Sequence, residues 1–178
     1  MQNPFTLTFG KSPLEPIERP LQTMEIVDTF TAETVNQQMF IITGVQGSGK
    51  TVMMTEIARR LREREDWVVI ELNPATDLLQ GMLAKLNSNK VCAAIIKSAK
   101  IDLSFFGFGV AIEGVPPLTD TETAIITILE KLKKQDKRLL ITIDEVTNND
   151  YMKVFAGSFQ IFVRQDLPVF LLATGLLL

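Results

Sequence analysis

Apolar residues recur along this chain with two rhythms. Met39-Phe40-Ile41-Ile42-Thr43, Trp67-Val68-Val69-Ile70-Glu71-Leu72, Leu139-Leu140-Ile141-Thr142-Ile143 and Val169 to Thr174 are nearly continuous in Ile, Leu, Val and Phe. Runs of that length and composition predict strands buried on both faces. Between them the apolar positions return every three or four residues, the spacing of one helical face. Met53, Met54, Ile57, Ala58 and Leu61 mark a helix over 51–64, with charge on the opposite side. Further helices are predicted from Leu21 to Asn36, from Asp77 to Leu86 with Asp77 or Thr76 as its cap, from Val91 to Lys100, and from Tyr151 to Val163. Thr119-x-x-Glu122 fits a capping box opening a helix to about Lys134, its inward face being Ala124, Ile125, Ile128, Leu129 and Leu132.

Two stretches break these rhythms. Residues 1–20 hold four prolines, which predicts an extended N-terminal arm; Phe5, Leu7, Phe9, Leu14 and Ile17 suit it to lie against the body, the other reading being a loose tail. Residues 101–115, with Gly107 and Gly109 between Ile101–Phe106 and Val110–Glu113, read as a β-hairpin closed by Pro116-Pro117.

Strands alternating with helices imply an α/β domain in three layers, a mostly parallel sheet with helices on both faces, over 21–178. The chain has 178 residues, 46% of them hydrophobic, enough for one substantial core. Its 18 basic and 21 acidic side chains leave a formal charge of −3, so overall charge does not advertise nucleic acid. A single cysteine, Cys92, excludes an intrachain disulfide and suits a reducing compartment. The absence of histidine excludes histidine triads and argues against a zinc site. No apolar run approaches the ~20 residues of a spanning helix, so no membrane partner and a cytoplasmic location are expected. The uncapped apolar run Gly175-Leu176-Leu177-Leu178 reads as the interior of a longer protein.

The chemistry is concentrated at the carboxyl ends of the strands. Gly44-Val45-Gln46-Gly47-Ser48-Gly49-Lys50-Thr51 fits G-x-x-x-x-G-K-[ST], the phosphate-binding P-loop, with a predicted strand before it and an amphipathic helix after it. Glycines let successive backbone N–H groups converge on an anion, and the helix N-terminus adds its dipole. Lys50 would supply a mobile charge for the β- and γ-phosphates, and the Thr51 hydroxyl would reach Mg²⁺. The third apolar strand ends in Asp144-Glu145, as a Walker B strand does. Asp144 would hold Mg²⁺ through water, and Glu145 would orient or deprotonate an attacking water. Thr174, at the tip of the fourth strand, is the candidate to sense the γ-phosphate or position the water. Arg19 precedes the first helix on the expected adenine side. Arg164 could serve as an arginine finger, a surface ion pair being the plainer reading. The clusters Arg59, Arg60, Arg62, Arg64 and Lys131, Lys133, Lys134, Lys137, Arg138 are interleaved with acids and read as solvated faces. Cys92, in an apolar setting, is expected to be inert.

Asn3-Pro4-Phe5 with Phe9-Gly10, Arg19, the P-loop at 44–51, Ile143-Asp144-Glu145-Val146 and Arg164-Gln165-Asp166-Leu167-Pro168-Val169 together resemble bacterial ATP-binding proteins of the AAA+/STAND type. These are similar to replication-initiator ATPases of the Cdc6 kind and to archaeal ATPases. The resemblance implies a sheet ordered 5-1-4-3-2, with Lys50 and Thr51 after strand one, Asp144 and Glu145 after strand three and Thr174 as sensor after strand four. It implies ATP and Mg²⁺ as ligands, and a fifth strand, helical lid and second sensor beyond Leu178. The segment 77–115 between the second and third strands is a candidate partner-binding insertion.

Three functions compete. The first is an ATPase that rearranges a nucleic-acid or protein partner, with any DNA bound by regions outside this chain. The second is a nucleotide-dependent switch or scaffold with little hydrolysis, able to form nucleotide-dependent homo-oligomers. The third, a small-molecule kinase, fits poorly with the Asp-Glu pair.

Overall fold

A computed structural model describes residues 20–176. The N-terminal arm and Arg19 lie outside the described residues. The chain runs α1 (Pro20–Thr31), β1 (Met39–Gly44), α2 (Lys50–Arg62), β2 (Trp67–Leu72), α3 (Leu78–Ser88), α4 (Lys90–Ser98), a 3₁₀ turn (Ser104–Phe106), α5 (Thr121–Lys133), β3 (Arg138–Ile143), α6 (Asp150–Arg164) and β4 (Val169–Leu176). Helical crossovers join successive strands, and all pairings are parallel. The order is β1-β4-β3-β2, with Met39 opposite Leu171, Leu139 opposite Val169 and Trp67 opposite Arg138. This is the 1-4-3-2 portion of the expected order.

Side chains alternate between the sheet's faces. Trp67, Leu140, Phe170 and Leu172 pack with Ile26 and Phe30 of α1 and Met54, Ile57 and Leu61 of α2. Ile70, Leu139, Ile141, Ile143, Val169 and Leu171 face the other way, against a larger core built from α3, α4, α5 and α6. The four strands and the helical faces predicted for α2 and α5 are therefore present. Among the described residues no helix is long and apolar enough to cross a membrane.

Four helices start on an acidic or amide cap: Asp77 accepts from Gln80 N, Asn89 from Val91 N and Cys92 N, Asp120 from Thr123 N, and Asn149 from Met152 N. The cap of α5 is thus Asp120 and not Thr119, and the Glu122 carboxylate accepts from Ser158 Oγ on α6 instead of closing a capping box. Helix α1 stops at Thr31, short of Asn36. There the Arg138 guanidinium donates to the carbonyls of Phe30 and Ala32, satisfying helix-end acceptors. Arg138 is half-buried over Trp67 and Phe170, 5.9 Å from each ring, and so leaves the solvated basic face expected for it.

The expected hairpin at 101–115 does not form. Ile101, Asp102 and Leu103 are all buried, so side chains do not alternate as a half-buried strand requires. The Asp102 carboxylate accepts from Ser104 N and Ile112 N, both at 2.9 Å, and its carbonyl accepts from Leu118 N at 3.0 Å. Backbone donors that a ladder would have paired are taken by one side chain, and the segment becomes a clasped loop. Its outer side presents Phe105 and Val110.

Candidate functional site

The loop between β1 and α2 is shaped by its glycines. Gly47 and Gly49 have φ of +76° and +82°, a left-handed region that residues with a Cβ rarely enter, and nothing lies within 4 Å of where a Cβ would sit on either. At Gly44 a Cβ would come within 2.8 Å of Ser48 Oγ, so a side chain there would require Ser48 to shift. Helix α2 differs from α3, α4, α5 and α6 in having no side-chain cap at its N-cap, Gly49. Its first intrahelical bond is Met53 N to Gly49 O at 3.0 Å, which leaves the amides of Lys50, Thr51 and Val52 ahead of the ladder. Uncapped amides, a helix dipole and open space above two glycines make a cradle suited to phosphate.

Lys50 is buried on this loop. Its Nζ donates to Gly44 O at 3.0 Å and to Val45 O at 2.8 Å. An ammonium has three protons, so one remains for a phosphate oxygen. The carbonyls hold the charge over the loop before any ligand arrives.

The second half of the site comes from the ends of β3 and β4. Thr51 Oγ1 donates to Asp144 at 3.0 Å from Oδ2 and 3.2 Å from Oδ1, joining residues 93 positions apart. Thr174 Oγ1 donates to Asp144 Oδ1 and accepts from Glu145 N at 2.8 Å, while Val146 N donates to Thr174 O at 2.8 Å. Glu145 has φ of +55°, and its side chain is exposed beside this knot. Hydroxyl and carboxylate oxygens are hard donors that fit Mg²⁺. Among the described residues no group of three or more His, Cys, Asp or Glu could cage a metal.

The fold therefore brings Gly44 through Thr51, Asp144, Glu145 and Thr174 to one end of the sheet. Arg164 stands at the other end. It closes α6 ahead of β4, and Thr174 lies near the far end of that eight-residue strand, roughly 20 Å away at strand rise. Arg164 cannot act as a finger on its own chain's loop, and among the described residues it forms no ion pair either. It borders a cavity of about 670 Å³ lined mainly by apolar residues such as Met39, Ile41, Phe155 and Phe159. Sequence reasoning missed Glu71 and Lys85, which with Asn73 and Asp144 line a polar cavity of about 360 Å³ beside the carboxylate. The signal was Glu71 itself, an acid in an otherwise apolar run and in register with Thr142.

Arg59 and Arg60 pair with Glu56, Arg64 with Asp66 and Lys133 with Asp166, so much of the expected basic faces is neutralised locally. The two arginines hold the Glu56 carboxyl down at about 2. Burial pushes the Cys92 thiol up to about 12, in keeping with an inert residue.

In fold the chain is similar to Cdc6p from Pyrobaculum aerophilum, at TM-score 0.54 and 15% identity over 94% of this chain and 41% of that one. The Orc1 protein of Aeropyrum pernix, solved in complex with DNA, gives 0.49 and 16% over 90% and 39%. PCH-2 of C. elegans gives 0.45 and 16% over 88% and 37%. The chain spans about two fifths of the length of these proteins. No curated protein matches it. Residues 24–163, which contain the P-loop and the Asp144-Glu145 turn, match the family described as an ATPase domain predominantly from Archaea, and the chain belongs to that family of ATPase domains.

Proposed function

We propose that this chain binds ATP with Mg²⁺ and couples hydrolysis to rearrangement of a nucleic-acid or protein partner. The observation that carries this reading is the direct bond from Thr51, at the start of the phosphate-binding helix, to Asp144 at the end of β3. Thr51 opens the helix that follows the glycine cradle, so this bond supports reading Thr51 and Asp144 as the two oxygen groups that would hold magnesium there. In the proposed mechanism the amides of the first turn of α2 bind phosphate oxygens, and the third proton of Lys50 bridges the β- and γ-groups. Bound Mg²⁺ supplies charge neutralisation of the phosphates. Thr51 and Asp144 would hold that ion. Glu145, exposed at the rim, orients a water on the γ-phosphorus and accepts its proton. Arg19 would flank the adenine. The partner in this reading is DNA or a protein, met in the cytoplasm.

The second reading is a STAND-like switch in which bound ATP holds one conformation and hydrolysis is rare. The position of Arg164 favours it, because that arginine does not reach the phosphate site from within the chain.

Nucleotide titration with and without Mg²⁺, with turnover measured in parallel, tests the proposal. ATP is expected to bind more tightly with Mg²⁺, and Glu145→Gln is expected to keep binding and lose turnover. Unchanged turnover in Glu145→Gln removes that residue from the mechanism. Slow wild-type turnover together with nucleotide-driven oligomerisation favours the switch. No nucleotide binding in any condition refutes both.

A further inference from the structure

We infer that Thr174 is a positioning residue that locks the Asp144-Glu145 turn, and that it does not itself contact the γ-phosphate or the attacking water. The inference rests on the nucleotide-site reading for its catalytic consequence, but not for its geometry. A threonine hydroxyl has one proton and two lone pairs. Here the proton goes to Asp144 Oδ1 and a lone pair takes Glu145 N. The residue is fully buried. Phosphate oxygens at neutral pH chiefly accept hydrogen bonds, so a hydroxyl whose proton is committed has nothing to offer them. To serve a phosphate, Thr174 would have to abandon a carboxylate oxygen.

What the hydroxyl does instead is join two groups that must act together. Its bond to Asp144 orients the carboxylate that Thr51 also engages. Its acceptance from Glu145 N, with the strap from Val146 N to Thr174 O, holds Glu145 at φ +55°. A non-glycine residue stays in that region only when its surroundings over-determine it. The left-handed residue ends the run of β3 and leaves the Glu145 side chain exposed next to Asp144. A continuous chain of hydrogen bonds thus runs from the P-loop helix through Thr51, Asp144 and Thr174 to the backbone of the proposed catalytic base. Neighbouring strands fix the placement, since Ile42 of β1 lies opposite Thr174 and Ala173 opposite Ile143.

Amide hydrogen exchange on nucleotide-free protein reads the lock directly. The Glu145 amide is expected to be protected in the wild type, to exchange about tenfold faster in Thr174→Val, which keeps the shape and loses both bonds, and to regain protection in Thr174→Ser. In turnover, Thr174→Val is expected to lower kcat about a hundredfold at nearly constant KM, with Thr174→Ser restoring it. A direct sensor would leave the nucleotide-free exchange unchanged. An unprotected Glu145 amide in the wild type, or equal exchange in wild type and Thr174→Val, overturns the inference. So does Thr174→Ser as impaired as Thr174→Val. If Thr174→Val does not fold, Thr174→Ala is read by the same exchange measurement. Failure of the wild type to bind ATP would refute the proposed function while leaving the exchange result to decide on the lock.

Discussion

Lys50→Ala removes the only side-chain cation that the described residues place on the phosphate loop. The lysine is 9% exposed, so its charge is already largely out of water, and two loop carbonyls at 2.8 and 3.0 Å hold it there. A unit charge about 4 Å from a phosphate charge is worth about 4 kcal/mol at an effective dielectric near 20. Because the ammonium is pre-positioned, much of that survives as binding energy, about 2–4 kcal/mol. ATP affinity is therefore expected to fall about 30- to 1,000-fold. The two carbonyl bonds contribute on the order of 1–2 kcal/mol to the empty fold, so stability must be followed alongside. Trp67, the single tryptophan, reports unfolding from the opposite end of the sheet, where it packs 4.9 Å from the Phe170 ring. Anisotropy titration of a labelled ATP analogue gives the affinity. A folded Lys50→Ala protein that binds within threefold of the wild type would refute the reasoning, since the cradle would then owe nothing to this charge.

Three further outcomes are expected. Gly49→Ala places a Cβ in open space but at φ +82°, so the cost is conformational, about 1–2 kcal/mol, read as a lower urea midpoint; an unchanged midpoint counts against a left-handed start to α2. Asp102→Ala removes the clasp on Ser104 N and Ile112 N and should open 104–118 to limited proteolysis while the sheet core stays protected; equal digestion of both proteins would show the loop held by other means. Cys92 keeps its proton in the fold up to about 12, whereas the unfolded chain loses it near 9, so the native state binds more protons in between. Stability should therefore decline as pH rises above 9, Cys92→Ala should remove that part of the slope, and thiol labelling at pH 8 should track unfolding.

The parts of the fold that depend on local pattern were legible in the residues. Four apolar runs became four strands, and the three- and four-residue spacing in 51–64 and 121–133 became the buried faces of α2 and α5. The P-loop was legible because its chemistry is contiguous. Features that join distant positions were not. Glycines between apolar segments read as a hairpin at 101–115, but Asp102 spends its carboxylate on the loop's own amides, a choice visible only once Ile101 and Leu103 are seated in the core. Arg138 sits in a basic stretch and yet serves the end of α1, 106 to 108 residues earlier. Asn149 caps α6 and also donates to Pro74 O, tying the end of β2 to the start of that helix. The Thr51–Asp144 contact could be anticipated as chemistry, whereas the saturation of Thr174 could not, because it needs the backbone of Glu145 as a partner.

The strand that carries the cradle is the rim of the described sheet. Within the described sheet β1 is laddered along one side only, to β4, while β3 and β4 are each laddered on both. Opening β1 therefore breaks half as many rungs as opening an inner strand. Among the described residues the sheet has a stiff interior and a softer margin, and its most exacting loop is mounted on that margin. Ligand that tightens that loop should slow solvent access to β1 far more than to β3, so occupancy would be registered as a change in the rigidity gradient across the sheet.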